Sequence, residues 1–216
     1  MKINLTSLIL ALFFLASCEK NASDTEPKPE PKSEPNYMPM TAGSTWSYQT
    51  SLGTSYTLTA TNKDTTASGK TFKVFTSTDG QNRYRLKSAN EYYQLTVIPG
   101  LAPNGFSELY LKDNQPVKAT WKSSLPISIP SIPIPLTADL NYAIKTKDTT
   151  LTVNNKIFTK VIRVRLNVSI PTIGSLGGGD FYYADKVGLV QSNFNLSLQG
   201  SKIVNQSETL TNYTIK

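Results

Sequence analysis

From about Tyr37 to the C-terminus, apolar and polar side chains alternate with a period of two. That is the spacing of strands whose successive residues point to opposite faces. Ile157 to Ile170 is the longest such stretch, with Ile162, Val164 and Leu166 opposite Arg163, Arg165 and Asn167. Shorter strands are predicted at Ser55 to Thr61, Lys70 to Ser77, Asn82 to Lys87, Glu91 to Ile98, Phe106 to Lys112 and Val117 to Lys122. Further ones follow at Leu140 to Lys147, Thr149 to Val153, Phe181 to Ala184, Leu189 to Leu198 and Ile203 to Ile215. Asn and Asp pairs mark turns at Asp113-Asn114 and Asn154-Asn155. No helical period persists over about 11 residues after the N-terminal segment. The pattern predicts an all-β domain over 37–216, an antiparallel sandwich or a partly open β-barrel.

Two stretches break the alternation. Leu125-Pro126-Ile127-Ser128-Ile129-Pro130-Ser131-Ile132-Pro133-Ile134-Pro135-Leu136 carries four prolines, whose missing donors exclude a central strand. Its isoleucines Ile127, Ile129, Ile132 and Ile134 are too apolar for a solvated loop. They are candidates for a ligand or partner surface, as a lid over a cavity or a docking patch; a cover over a sheet edge is the structural alternative. Gly174 to Gly179 has four glycines but lacks the residues of a phosphate loop, so it reads as a mobile hairpin connection. An internal echo also runs through the chain. The order Trp46, Tyr56, Lys63-Asp64-Thr65-Thr66, Lys70-Thr71-Phe72 returns as Trp121, Tyr142, Lys147-Asp148-Thr149-Thr150, Lys156-Ile157-Phe158. Two readings stay open: an internally duplicated β-meander, or ordinary turn chemistry used twice.

The N-terminus has a different character. Lys2 precedes an apolar run from Leu5 to Ala16, about a dozen residues where a membrane-spanning helix needs about 20. A basic start, a short apolar stretch and small residues make a secretory signal over 1–17. Residues 18–36 hold Pro27, Pro29, Pro31 and Pro35 among Glu, Lys and Ser, too polar to bury a core, and predict an extended tether. At the junction, Leu15-Ala16-Ser17-Cys18 resembles the lipobox of bacterial lipoproteins, and Cys18 is the chain's only cysteine. The resemblance implies a diacylglyceryl group and a further acyl chain such as palmitate on Cys18. The protein is then held in the cell envelope, with the outer membrane expected. Multiple chains are needed because one acyl chain binds a membrane only reversibly.

Composition narrows the chemistry. The chain has no histidine, which removes Ser-His-Asp hydrolysis, histidine-bound zinc and imidazole acid–base catalysis. A single cysteine leaves no internal disulfide. Carboxylates such as Glu91, Glu108, Asp180 and Asp185 are available, but the sequence pairs none of them across a sugar ring. From Tyr37 onward eighteen Lys and Arg stand against ten Asp and Glu, so the body carries +8. Basic faces such as Arg83 with Arg85, or Arg163 with Arg165, fit either anion binding or a solvated exterior.

Met38-Pro39-Met40-Thr41-Ala42-Gly43-Ser44-Thr45-Trp46-Ser47-Tyr48 resembles the opening of small β-rich envelope lipoproteins that begin P-x-x-x-G-x-x-W-x-Y. Phe181 to Val190 resembles the aromatic-then-G-V-G-L-V stretch near their end, with Lys186 in place of the first glycine. That group implies no reaction. The expectation is a non-catalytic binding or accessory module for envelope proteins or glycans, membrane-anchored and without cofactor, metal or nucleic-acid partner. The alternative is a carrier holding an apolar ligand in a β-shell.

Overall fold

The structure, a computed structural model, describes residues 34–98, 102–129, 132–198 and 200–216. Cys18, the signal and residues 18–33 of the tether lie outside the described residues, as do Pro130 and Ser131 of the Pro–Ile segment. The strands are β1 (Thr45–Thr50), β2 (Ser55–Ala67), β3 (Lys70–Ser77), β4 (Arg83–Ser88), β5 (Glu91–Ile98) and β6 (Ala102–Lys112). They continue as β7 (Thr120–Ile129), β8 (Ile132–Val153), β9 (Lys156–Ile170), β10 (Gly174–Ala184), β11 (Gly188–Leu198) and β12 (Ser201–Thr214). Each pairs antiparallel with its sequence neighbour except β6 with β7, and β1 closes on β12, with Trp46 opposite Tyr213. The result is an up-and-down, nearly closed barrel-shaped sheet with one unsealed seam, between β6 and β7.

The meander gives the barrel two ends. At one lie the entering residues 34–44, the C-terminus and the turns before β3, β5, β7, β9 and β11; this is the entry end. The turns before β2, β4, β6, β8, β10 and β12 lie at the far end. The entry end is filled by the chain itself. Asn36 N–H donates to Asp185 Oδ1 at 2.8 Å, Lys186 N–H donates to Asn36 O at 2.7 Å, and Tyr37 is buried edge-on against Tyr92. Trp46, of the opening motif, is buried and donates its indole N–H to Val187 O at 2.7 Å. Gly188, beside it, has φ +102°, a conformation open to glycine and strained for other residues.

The echoed residues fall six strands apart: Trp46 and Trp121 on β1 and β7, Tyr56 and Tyr142 on β2 and β8, Phe72 and Phe158 on β3 and β9. Both hairpins that follow turn through two residues of positive φ, Ser68-Gly69 and Asn154-Asn155, as tight antiparallel turns require.

Three expectations change. Leu140 to Lys147 and Thr149 to Val153 are parts of one strand, β8, whose register shifts absorb the Lys147-Asp148 irregularity as bulges. Gly174 to Gly179 is strand, not a loose connection, paired to β9 and β11. The described residues of the Pro–Ile segment are strand rather than loop, in the β7–β8 hairpin, with Ile127 opposite Leu136 and Ile129 opposite Ile132. Its prolines obey the ladder. Ile144 N–H donates to Ala119 O at 3.0 Å, so odd residues of β7 and even residues of β8 exchange hydrogen bonds. Pro126, Pro133 and Pro135 occupy the other parity, and β9 ends its pairing at Ser169 opposite Asp139. No ladder bond is lost, and Pro126 blunts the free edge at the seam.

Candidate functional site

The strands β9 to β12 carry apolar residues inward and a polar set outward. Val164, Leu166 and Val168 point into the core, so Arg163, Arg165 and Asn167 point out. Register then places Asp180 beside Arg165, Asn193 beside Asp180, and Ser207 beside Asn193 on the same outer face. Asn195 and Asn205 form the next cross-strand pair.

Between these side chains the outer face sinks into an open depression of about 470 Å³, lined by Arg165, Asn193, Phe194, Asn195, Ser197, Asn205 and Ser207 around Gly177 and Gly178. The glycines make the floor. A Cβ at Gly178 would sit 1.9 Å from Leu166 O, and one at Gly177 or Gly179 would sit 2.4 Å from Asn195 O or 2.1 Å from Asn193 O. Bare backbone is therefore the condition for the close approach of these strands. The sequence marked these glycines as a break; the outward Asn193, Asn195 and Asn205 were legible as alternation but carried no signal of a shared face.

The electrostatics of the rim are fixed by Asp180. Arg163 Nε–H donates to its Oδ1 at 2.9 Å and Arg165 Nη1–H to its Oδ2 at 3.1 Å. The Asp180 N–H donates to Asn193 Oδ1 at 3.0 Å. Burial pushes the Asp180 carboxyl up, but the hydrogen bonds and charges of Arg163 and then Arg165 outweigh it and hold the group below the ordinary carboxylate range. Arg165 is thereby held over the depression, its Nε–H also donating to Asn167 Oδ1 at 3.2 Å. A depressed folded value means that the ionised pair's contribution is complete above the unfolded value near about 4 and drains as pH falls through the folded value. The difference in thermal midpoint between the protein and its Asp180→Asn variant should therefore shrink as pH drops below about 4. A gap that is constant from neutral pH into acid would show that the pair does not brace this rim.

The barrel interior is filled. Tyr48, Tyr110, Tyr142 and Tyr183 are all buried, and Tyr110 stacks near Tyr183 with centroids 5.4 Å apart. Burial raises every one of these hydroxyls, Tyr110 to about 12 with Arg85 opposing, so they remain protonated donors at neutral pH. The Tyr142 hydroxyl donates to Glu108 across the seam, and Thr96 donates to the same carboxylate at 2.9 Å. Gln94 bridges Glu108 to Arg85. The β4 basic face is thus an inward one: Arg85 lies over the Tyr110 ring and Arg83 over the Tyr56 ring, and a solvated exterior is the wrong reading for them. Only Arg163 and Arg165 of the four are outward.

Of the Pro–Ile candidates, Ile127 is half-buried against the core, and Ile129, Ile132 and Ile134 lie in the hairpin strands with side chains outside the described residues. The structure does not gather them with the depression on β9 to β12. Among the described residues no three potential metal ligands cluster.

No family model matches the chain, and no curated protein matches it. Among solved structures it is similar to a protein of Parabacteroides distasonis named as a candidate lipoprotein, at 11% identity and TM-score 0.46, covering 85% of this chain and 100% of that one. It is also similar to a protein of Bacteroides fragilis named as a candidate exported protein with a YmcC-like fold, at 12% identity and TM-score 0.41, covering 84% and 100%. A third is the hypothetical lipoprotein YmcC of Escherichia coli, at 13% identity and TM-score 0.42, covering 78% and 83%.

Proposed function

We propose that the chain is a lipoprotein of the cell envelope, anchored through Cys18 to the outer membrane, and a non-catalytic module that binds glycan in the depression on β9 to β12. The observation that carries the glycan reading is the lining: amide, hydroxyl and guanidinium side chains, with the Phe194 ring, around a floor of glycine backbone. These groups match the dense donors and acceptors of a sugar, and offer little to an apolar ligand. Asp180, the carboxylate beside them, is clamped between two guanidiniums, which favours a binding role over general-acid catalysis. The buried tyrosines that fill the interior weigh against an apolar carrier.

Titration of isotope-labelled protein with neutral and uronate oligosaccharides tests the site. The amides of Gly177, Gly178, Asn193 and Asn195 should shift together and saturably. Arg165→Gln and Asn195→Ala should each weaken binding about tenfold, the effect of one lost hydrogen bond to a charged or well-placed partner. Shifts that cluster on another face, or none across the panel, reject this reading. Anchoring has its own readout: labelling with palmitate should mark the protein in the outer-membrane fraction and vanish in Cys18→Ser.

A further inference from the structure

We infer that the entry end of the barrel is a lysine collar that docks on an anionic lipid surface. Thirteen of the fourteen lysines from Tyr37 onward lie in the half of the barrel at that end, and Lys202 alone lies at the other. Five of the ten carboxylates from Tyr37 onward, and Glu34 just before it, share the lysine half. The waist and the far end hold the four arginines and Lys202 against five carboxylates, so the excess positive charge of the body sits at the entry end. Lys63, Lys118, Lys145, Lys156, Lys186 and Lys216 are solvent-exposed there.

Backbone conformation supplies an independent mark. Lys118, Lys160 and Lys186 adopt left-handed φ angles of 75°, 51° and 61°. Glycine or asparagine meets that conformation at lower cost, and a long side chain held there stores strain that surrounding structure must overcome. Among the described residues all eight non-glycine positions of positive φ lie toward the entry end, Asp148 among them; three are lysines, and Lys186 occupies the position where the G-V-G-L-V pattern has glycine. Two exposed apolar side chains, Ile157 (70% exposed) beside Lys156 and Val117 (44%) beside Lys118, stand among the lysines. Apolar residues set among lysines suit the boundary between headgroups and acyl chains. At the far end, exposed Leu52 and Ile173 have no lysine beside them, and Ile203 has Lys202 alone.

The occupant is a membrane bearing anionic phosphate headgroups, because the chain enters the barrel at this end, with Pro35 and Asn36 hydrogen-bonded to it and Tyr37 buried in it. A body tethered here meets the lipid surface with its basic face, and juxtamembrane lysines gain most within a Debye length of such a surface. Docking this way turns the far end, with the Pro–Ile hairpin, away from the bilayer. The inference stands apart from the glycan reading and rests on anchoring at Cys18 only for which end faces the bilayer.

The test uses the chain from residue 18 onward with Cys18→Ser, so that no acyl chain contributes. It should sediment with phosphatidylcholine vesicles containing phosphatidylglycerol, stay in solution with phosphatidylcholine alone, and be released at about 0.5 M salt. The triple variant Lys118→Gly, Lys160→Gly, Lys186→Gly should bind about 100-fold more weakly, near fivefold per lysine, while its thermal midpoint holds or rises because the strain is relieved. Lys202→Gln should bind like the parent. The inference is overturned if the triple variant binds undiminished, if Lys202→Gln loses as much, or if soluble alginate binds while the vesicles do not.

Discussion

Replacing Gly178 with alanine should lower the stability of the protein by about 3 kcal/mol, the upper range for forcing atoms into a packed site. For a body of this size that is a fall of roughly 10 °C in thermal midpoint. The added methyl would stand 1.9 Å from Leu166 O and 2.9 Å from Leu166 C, and both are backbone atoms that no rotamer change can move aside. Relief requires β9 and β10 to separate, which breaks the pairing of Gly178 with Asn167 and displaces the adjacent Arg165–Asp180 pair. Gly53→Ala is the control. It has φ +80° but nothing within 4 Å, so it pays only the left-handed backbone cost of about 1 kcal/mol. Thermal unfolding followed by circular dichroism separates the two. Equal, small losses would mean that the strands part easily and that the depression is not a rigid feature. A large loss confined to Gly178 ties the open shape of the groove to the stability of the sheet.

The same glycines show what a sequence conceals. Composition identified the Gly174 to Gly179 stretch as unusual, but a strand of glycines has no side-chain alternation, so period gives no evidence of it. Its existence depends on contacts with residues 166 and 193, which are remote in sequence. The arginines of β4 fail for a related reason. Period two puts Arg83, Arg85 and Lys87 on one face of β4 and Tyr84 and Leu86 on the other, but alternation does not say which face is inward. Ordinary hydrophobicity puts the basic face outside; here Gln94, Tyr110 and Glu108 supply partners that let Arg85 turn in. Strongly patterned β9 was legible nearly to its ends, since an aliphatic face opposite a basic one has a single low-energy orientation. Closure of β12 on β1 was not, because a pairing between chain ends leaves no local trace. The Trp46 and Trp121 echo is the nearest the sequence came to topology, and it marks strands six apart in a twelve-stranded sheet.

Loss of Glu108 should open the seam. Glu108→Ala is expected to cost about 3 kcal/mol, because it strands the Tyr142 and Thr96 hydroxyls and the Gln94 amide inside the barrel together with a cavity. No backbone ladder joins β6 to β7, so side chains carry the closure there. The Tyr142 hydroxyl reaches Glu108, Trp121 donates its indole N–H to Leu109 O at 2.8 Å while stacking on Tyr142, and Lys147 donates to Asp113 O at 2.7 Å. Glu108→Gln keeps an acceptor for Tyr142 but sets an amide donor against the Gln94 amide, and should cost about half as much. Tyr142→Phe removes only the hydroxyl and should cost about 1 kcal/mol. Because the two groups act as one contact, Glu108→Ala combined with Tyr142→Phe should cost less than the two singles added, by about 1 kcal/mol. Hydrogen exchange supplies the structural readout: amides of β6 and β7 should lose protection in Glu108→Ala while those of β9 and β10 keep theirs. Additive costs, or uniform loss of protection across all strands, would show that Glu108 is an ordinary buried group and that the seam is held by packing alone.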